Sequence, residues 1–398
     1  MIWIWTFVSL FFGTNIQDYA NAFNTSYNEH FRLTEELLKS KQYNPILRPV
    51  LNSSDTVDVD IVINLLSIFQ VEEAKQIITL NMYLDVSWTD GILQWEPTDY
   101  GGVDFLSIPQ NKVWRPDIVL ATSTNPYKKM GNSEIQLRLS STGFIAWSVG
   151  DVVKLYCYID ITAYPFDKQK CFMDVTTWSY TKDFVNLRGR YENAVLEHYQ
   201  GNGEWLLQST RITTDEEFVA GKRFSVVTME IDLIRLQTFY VLNLILPILL
   251  LSFLNPFVFV IPVPSGEQLS VSVTMLLSFT VFLSFLGDSL PRNSDSVSLL
   301  SLYLGIMMTL SVLQVILTVH VLKIYNRDTG PVGEKMSSFS RWMLNAKNNI
   351  TDKADCSDDE LGWQTVSAAV EKLYFVIFLI LTSTITIVFF VVGNALNY

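Results

Sequence analysis

The sequence predicts an extracellular β-sandwich domain followed by a four-helix transmembrane bundle, and three observations carry that prediction. Up to Arg235, apolar and polar residues alternate in short runs rich in β-branched and aromatic types, with glycine-containing turns between them. Beyond Arg235 the charged residues vanish over four long stretches, each able to supply the roughly 20 apolar residues a membrane helix needs. Two of the three cysteines, Cys157 and Cys171, sit close together in the first half.

Taken in chain order, the N-terminal MIWIWTFVSLFFG is apolar but too short to span a bilayer. The small-x-small tripeptide Ala20-Asn21-Ala22 after it has the form of a signal cleavage site, although no basic residue precedes the apolar run. Residues 1–22 are therefore read as a signal peptide. Sequons at Asn24 and Asn52 follow and fit a glycosylated surface. A secreted first half is oxidising, so Cys157 and Cys171 read as a disulfide. The alternative, a metal site, lacks a histidine between them and a second cysteine pair elsewhere.

Residues 23–236 form the extracellular domain. FRLTEELLKS reads as a short amphipathic helix, and the strands after it are expected to be short. In RFSVVTMEIDLIRL, Val227, Met229, Ile231 and Leu233 take one strand face while Glu230 and Asp232 take the other. Trp88, Trp95, Trp114 and Trp205 are assigned to core packing. Residues 237–322 hold three spans and 373–398 the fourth with the C-terminus. With the N-terminus outside, four spans return the C-terminus outside and leave 323–372, a loop and amphipathic helix, in the cytoplasm. Lys323, Arg327, Lys335, Arg341 and Lys347 there follow the positive-inside tendency. In that compartment Asn349-Ile-Thr is not expected to be glycosylated, and Cys356 has no partner. The polar, aperiodic stretch 328–360 is expected to be disordered or weakly ordered, whereas WQTVSAAVEKLYF reads as a helix entering the fourth span.

The second span carries a pattern the others lack. Glu267, Ser270, Thr274, Leu277, Val281, Ser284 and Asp288 recur at spacings of three and four, one stripe on a helix. Interfacial anchoring by the acids and helix packing by the hydroxyls is one reading. A pore lining is the better one: hydroxyls solvate an ion, carboxylate rings favour cations, and an apolar ring closes by dewetting. One helix encloses nothing, so a ring of subunits is implied.

Several motifs now converge. Cys157-x13-Cys171 encloses Tyr-Pro-Phe-Asp; SWTDGILQWEPTDYGGV and VWRPDIVL precede it, and TTWSY, Gly203-Glu-Trp, Pro247 and SGEQLSVSVTMLLSFTVFLS follow it, together covering the chain from about residue 30 to the end. Together they resemble the pentameric Cys-loop ligand-gated ion channels, most closely the nicotinic acetylcholine receptor branch. The resemblance implies a pentameric channel of identical or related subunits among membrane lipids, passing monovalent cations and opened by a small cationic or zwitterionic agonist. It implies that Pro165 and Phe166 press on the loop from Leu290 to Leu299, and that Glu73 pairs with Arg235 at the membrane boundary. A cis bond at Tyr164-Pro165 would suit that turn. It also implies an aromatic ligand cage, because ring faces attract cations: Trp178, Phe218 and Phe224 on one subunit face, Tyr83 and Trp147 on the complementary one.

Departures from that pattern matter. Ala121 stands where acetylcholine-binding subunits carry tyrosine, and Ser298 where nicotinic subunits commonly carry proline. The capping hairpin RITTDEEFVAGKRF has no adjacent cysteines and no tyrosine, but holds Asp215, Glu216 and Glu217. A subunit that contributes only its complementary face to a heteromer is thus the second reading, and a non-conducting membrane receptor the third. A net charge of −12 argues against a nucleic-acid partner. Three scattered histidines and no phosphate loop or nucleophile motif argue against an enzyme, a metal site or a cofactor.

Overall fold

A computed structural model of the protein describes residues 27–40, 42–126, 130, 135–292, 295–327, 332–344 and 362–396. The expected signal segment 1–22, Asn24, the third sequon and Cys356 lie outside the described residues. Helix α1 covers 27–40, its last turn Glu36–Ser40 widened to π geometry.

Among the described residues, ten strands then make two sheets. The first has the order β3 (Phe105–Pro109), β5 (Gln136–Ser140), β6 (Phe144–Tyr156), β2 (Ile77–Thr89), β1 (Val57–Glu72), β8 (Val185–Gly189). The second has the order β4 (Ile118–Leu120), β7 (Lys168–Thr177), β10 (Lys222–Arg235), β9 (Trp205–Val219). The expected face of β10 is the buried one: Val227, Met229, Ile231 and Leu233 are inaccessible, while Glu230 and Asp232 reach the surface. Period-two alternation makes this a requirement, because each sheet has one face against the other and one against water. The strands are longer than expected. β1 runs 16 residues, and register shifts at Leu65/Ser67 and Ile68/Gln70 let it twist without ending.

Cys157 and Cys171 form a disulfide with Cα atoms 5.0 Å apart. Cys157 follows β6 of one sheet and Cys171 lies in β7 of the other, so the bond staples the two layers near their lower end. Closing a loop of this size stabilises by roughly 3 kcal/mol on the chain-entropy account. The four tryptophans assigned to packing are buried, with Trp88 and Trp114 edge to face at 5.9 Å.

Among the described residues, four helices that follow are long and apolar enough to cross a membrane: α2 (Thr238–Val260), α3 (Gln268–Ser289), α4 (Leu299–Tyr325) and, after the shorter α5 (Glu334–Leu344), α6 (Trp363–Leu396). Pro247 has no N–H for the carbonyl of Asn243, and the helix meets it with a π turn over Val241–Ile245. Polar side chains join the bundle: Tyr303 Oη donates to Ser252 Oγ at 2.8 Å and lies 3.1 Å from Thr386 Oγ1, linking α4 to α2 and α6. As expected, α6 starts at Trp363 and continues without a break through the fourth span.

One expectation, weak order over 328–360, is overturned in part, while 328–331 and 345–360 lie outside the described residues. Within 328–360, the residues Glu334–Leu344 form a helix, α5. Phe339 packs on Val263, Val321, Val366 and Val370 at the foot of the bundle, and Ser340 is buried beside it. The polar composition hid a short apolar face whose burial depends on α6 as its partner.

Candidate functional site

Where the sandwich meets the helices, Arg235 ends β10 with a side chain that is 0% exposed. Its Nε and Nη2 donate to the two carboxylate oxygens of Asp167 at 2.8 and 3.1 Å, and its Nη1 donates to Glu73 at 2.6 Å. The guanidinium lies 4.1 Å from the Trp205 ring centroid, 5.0 Å from Tyr164 and 5.2 Å from Tyr240. Burial opposes the charge on Arg235, but the hydrogen bonds and charge of Asp167, then those of Glu73, outweigh it and hold the group protonated. Glu73 is the weaker partner. Burial pushes its pKa up despite the pull of Arg235, which is engaged by two bonds elsewhere.

Glu73 and Arg235 therefore meet as expected, but the sequence reading missed the larger partner. Asp167 was visible in Tyr-Pro-Phe-Asp, yet nothing in spacing places it 68 residues from Arg235 and in bidentate reach. Tyr240, Glu204 and Trp205 were missed too; Tyr240 donates from its hydroxyl to Glu204 and accepts from Arg235 Nη1 at 3.1 Å.

The Tyr164-Pro165 bond is cis, and Pro165 is buried while Phe166 is half-buried. The link from this loop to the third span runs through backbone: the Leu299 N–H donates to the Thr162 carbonyl at 3.1 Å. Tyr164 meets the first span, its ring 5.5 Å from that of Tyr240. Ser298 is the N-cap of α4, its hydroxyl accepting from the Ser301 N–H.

On α3 the stripe is real as geometry. Glu267, Ser270, Thr274, Leu277, Val281, Ser284 and Asp288 are all exposed, whereas Gln268, Ser272, Phe279 and Leu286 are buried on the opposite face. Ser272 makes that seating polar, 3.1 Å from Thr318 of α4.

The aromatic candidates divide. Trp178 follows β7 and is 61% exposed; its N–H donates to the Asp117 carbonyl at 3.1 Å, and the Ser179 N–H to the Asp117 carboxylate at 2.7 Å. Phe218 is exposed and Phe224 half-buried on the β9–β10 hairpin, where Phe218 pairs with Arg223 and Glu217 with Phe224. The segment after Trp178 is tied to this hairpin: the Lys182 N–H donates to the Arg223 carbonyl at 2.8 Å, and Arg223 pairs with Asp183 at 2.9 Å. Asp215, Glu216 and Glu217 are exposed on the same hairpin, and the hydrogen bond and charge of Lys182 hold Glu216 below the usual carboxylate range.

Tyr83 stands half-buried on the other sheet, opposite Gly150, whose missing side chain leaves room beside it. Trp147 does not share this exposure. It is 2% exposed, in the sandwich core with the Arg115 guanidinium 5.1 Å from its ring, because alternation turns it to the same side as its cross-strand neighbour Val86. Ala121 brings no ring; its N–H donates to the Asp174 carbonyl at 2.8 Å. Asn52 is exposed.

A disulfide-stapled sandwich, tied through a buried arginine to membrane-length helices, defines a multi-pass membrane protein. The chain belongs to the neurotransmitter-gated ion-channel family: residues 30–237 match its ligand binding domain and residues 244–359 its transmembrane region. It is similar to neuronal acetylcholine receptor subunit alpha-3 of Homo sapiens, 35% identical over 301 residues that make 75% of this chain and 59% of that relative. The Bos taurus subunit of the same name is 35% identical over 306 residues, 76% of this chain and 61% of the relative. The acetylcholine receptor subunit alpha of Danio rerio is 33% identical over 288 residues, 72% and 63% of the two chains. The chain thus spans about six tenths of the length of the curated relatives it matches.

Proposed function

We propose that the chain is a subunit of a cation-selective ligand-gated channel of the cell membrane, acting as a pentamer with both termini extracellular. The observation that carries this reading is the α3 stripe: seven exposed positions, acidic at both ends, on a helix whose other face is buried in its own subunit. Five copies around an axis would concentrate carboxylates at both mouths, drawing cations and repelling anions.

Gating in this reading starts at Trp178, Phe218 and Phe224 on one subunit and Tyr83 on the next, with the acidic hairpin attracting a small cationic or zwitterionic agonist. The hairpin's second strand, β10, runs unbroken to Arg235, three residues before α2. A shift of the hairpin would reach the helices through the Arg235 pairs and the Thr162–Leu299 bond. Absence of a ring at Ala121 favours a second reading, in which the subunit offers only its Tyr83 face in a heteromer. Expression alone and with related subunits, followed by current recording under sodium and chloride gradients, tests both. Reversal potentials that follow sodium are expected; potentials that follow chloride, or surface-expressed pentamers that never conduct, would end the proposal.

A further inference from the structure

A cavity of about 380 Å³ lies where the sandwich meets α2 and α3, with Glu73, Tyr164, Phe239, Tyr240 and Phe285 among its lining side chains. That volume falls in the range of small-molecule sites, roughly 300–1,000 Å³. The charge around it does not balance. Arg235 meets three carboxylates, Glu73 at 2.6 Å, Asp167 at 2.8 Å and Glu204 at 3.6 Å, and among the described residues no other cation pairs with them. The bidentate Asp167 by itself offsets Arg235, so Glu73 and Glu204 carry surplus negative charge, and of the three only Glu73 stands on the cavity wall. Its carboxylate accepts from Arg235 at Oε1, and burial holds its pKa up in spite of that bond.

The rest of the wall suits a cation with an apolar body. Arg235 already lies over the rings of Tyr164 and Tyr240, at 5.0 and 5.2 Å. Phe239 and Phe285 are 68% and 60% exposed, and open ring faces attract cations. Asn243 and Ser289, also on the wall, each spend a donor one turn back in their own helix, on the Phe239 and Phe285 carbonyls at 2.9 and 3.0 Å. Both keep an oxygen able to accept from a ligand. A neutral ligand leaves the surplus carboxylate without a counter-charge, and an anion is repelled by it. A primary ammonium brings that charge with three N–H donors.

We propose that this cavity binds a small primary arylalkylamine, its ammonium on Glu73 and its hydrocarbon body against Phe239 and Phe285. The site is separate from the agonist cage and independent of ion conduction, so its test is a binding measurement on the purified full chain in detergent. Calorimetric titration with phenethylamine near neutral pH, where the amine is protonated, should show saturable binding with a dissociation constant on the order of 0.1–1 mM, the range open to a ligand of this few atoms. Phenethyl alcohol, the same body without the charge, should bind at least about tenfold more weakly. Glu73→Gln should weaken the amine at least about tenfold. Phe239→Leu and Phe285→Leu, at exposed positions where the fold tolerates the change, should each weaken it about threefold, which keeps the wall testable should Glu73→Gln fail to fold. No saturable binding of the amine, alcohol binding as tight as the amine's, or amine binding unchanged by the Glu73 substitution or by both phenylalanine substitutions would each overturn the proposal.

Discussion

Arg235 and Asp167 meet through two hydrogen bonds, 2.8 and 3.1 Å long, in a site where the arginine side chain is 0% and the aspartate 2% exposed. The Arg235 N–H also donates to the Asp167 carbonyl at 3.2 Å, so backbone and side chain both join the disulfide loop to the strand that enters the membrane helices.

That hierarchy predicts unequal costs. Asp167→Asn leaves a buried guanidinium short of its main counter-charge and should destabilise by about 3–5 kcal/mol. Glu73→Gln should cost far less, since Glu73 accepts one bond and its charge is already disfavoured by burial. Thermal unfolding of the two variants in detergent checks the order; a larger loss in Glu73→Gln would reverse the assignment of partners.

Glu73 also sets a pH dependence. Its folded pKa lies above the unfolded value of roughly 4.3. Between those values the native chain holds a proton the unfolded chain has lost. The Glu73 contribution to stability is therefore fully present below the unfolded pKa and declines as pH rises through the folded one. In Glu73→Gln this segment of the stability–pH curve should flatten. A curve that keeps the wild-type slope there would assign the titration to another group.

The β9–β10 turn contains a strained position. Ala220 has φ of 50° and Gly221 of 78°, the left-handed pair of a tight hairpin turn in which a non-glycine side chain crowds its own backbone. Ala220→Asn or Ala220→Gly should stabilise by about 0.5–1 kcal/mol, and the β-branched Ala220→Val should destabilise. Melting temperatures moving in the opposite directions would contradict the turn geometry.

For the proposed gate, Leu277 is the informative residue, exposed midway along the stripe between Thr274 and Val281. If Thr at this position lowers the cost of wetting by about 0.5 kcal/mol per subunit, five copies shift the open–closed ratio by nearly two decades. Leu277→Thr channels should therefore pass current without agonist. Leu276→Thr, at a partly buried position, should alter packing and stay silent. A surface-expressed Leu277→Thr assembly as quiet as wild type would move the gate elsewhere.

Periodicity was enough to place the layers of this protein. Alternation in β10 named its buried face, uncharged length named the four spans, and three-and-four spacing named the stripe on α3, because each depends only on local geometry repeated along one element. The disulfide was legible from compartment and cysteine count. Pairings across distance were another matter. That Asp167 outranks Glu73 at Arg235, that Trp147 turns into the core beside Arg115, and that Phe339 finds a surface on α6 to make Glu334–Leu344 a helix all depend on which elements become neighbours. Strand register, sheet order and helix packing decide those neighbours, and they follow from the summed burial of the whole chain, which no single window of sequence contains.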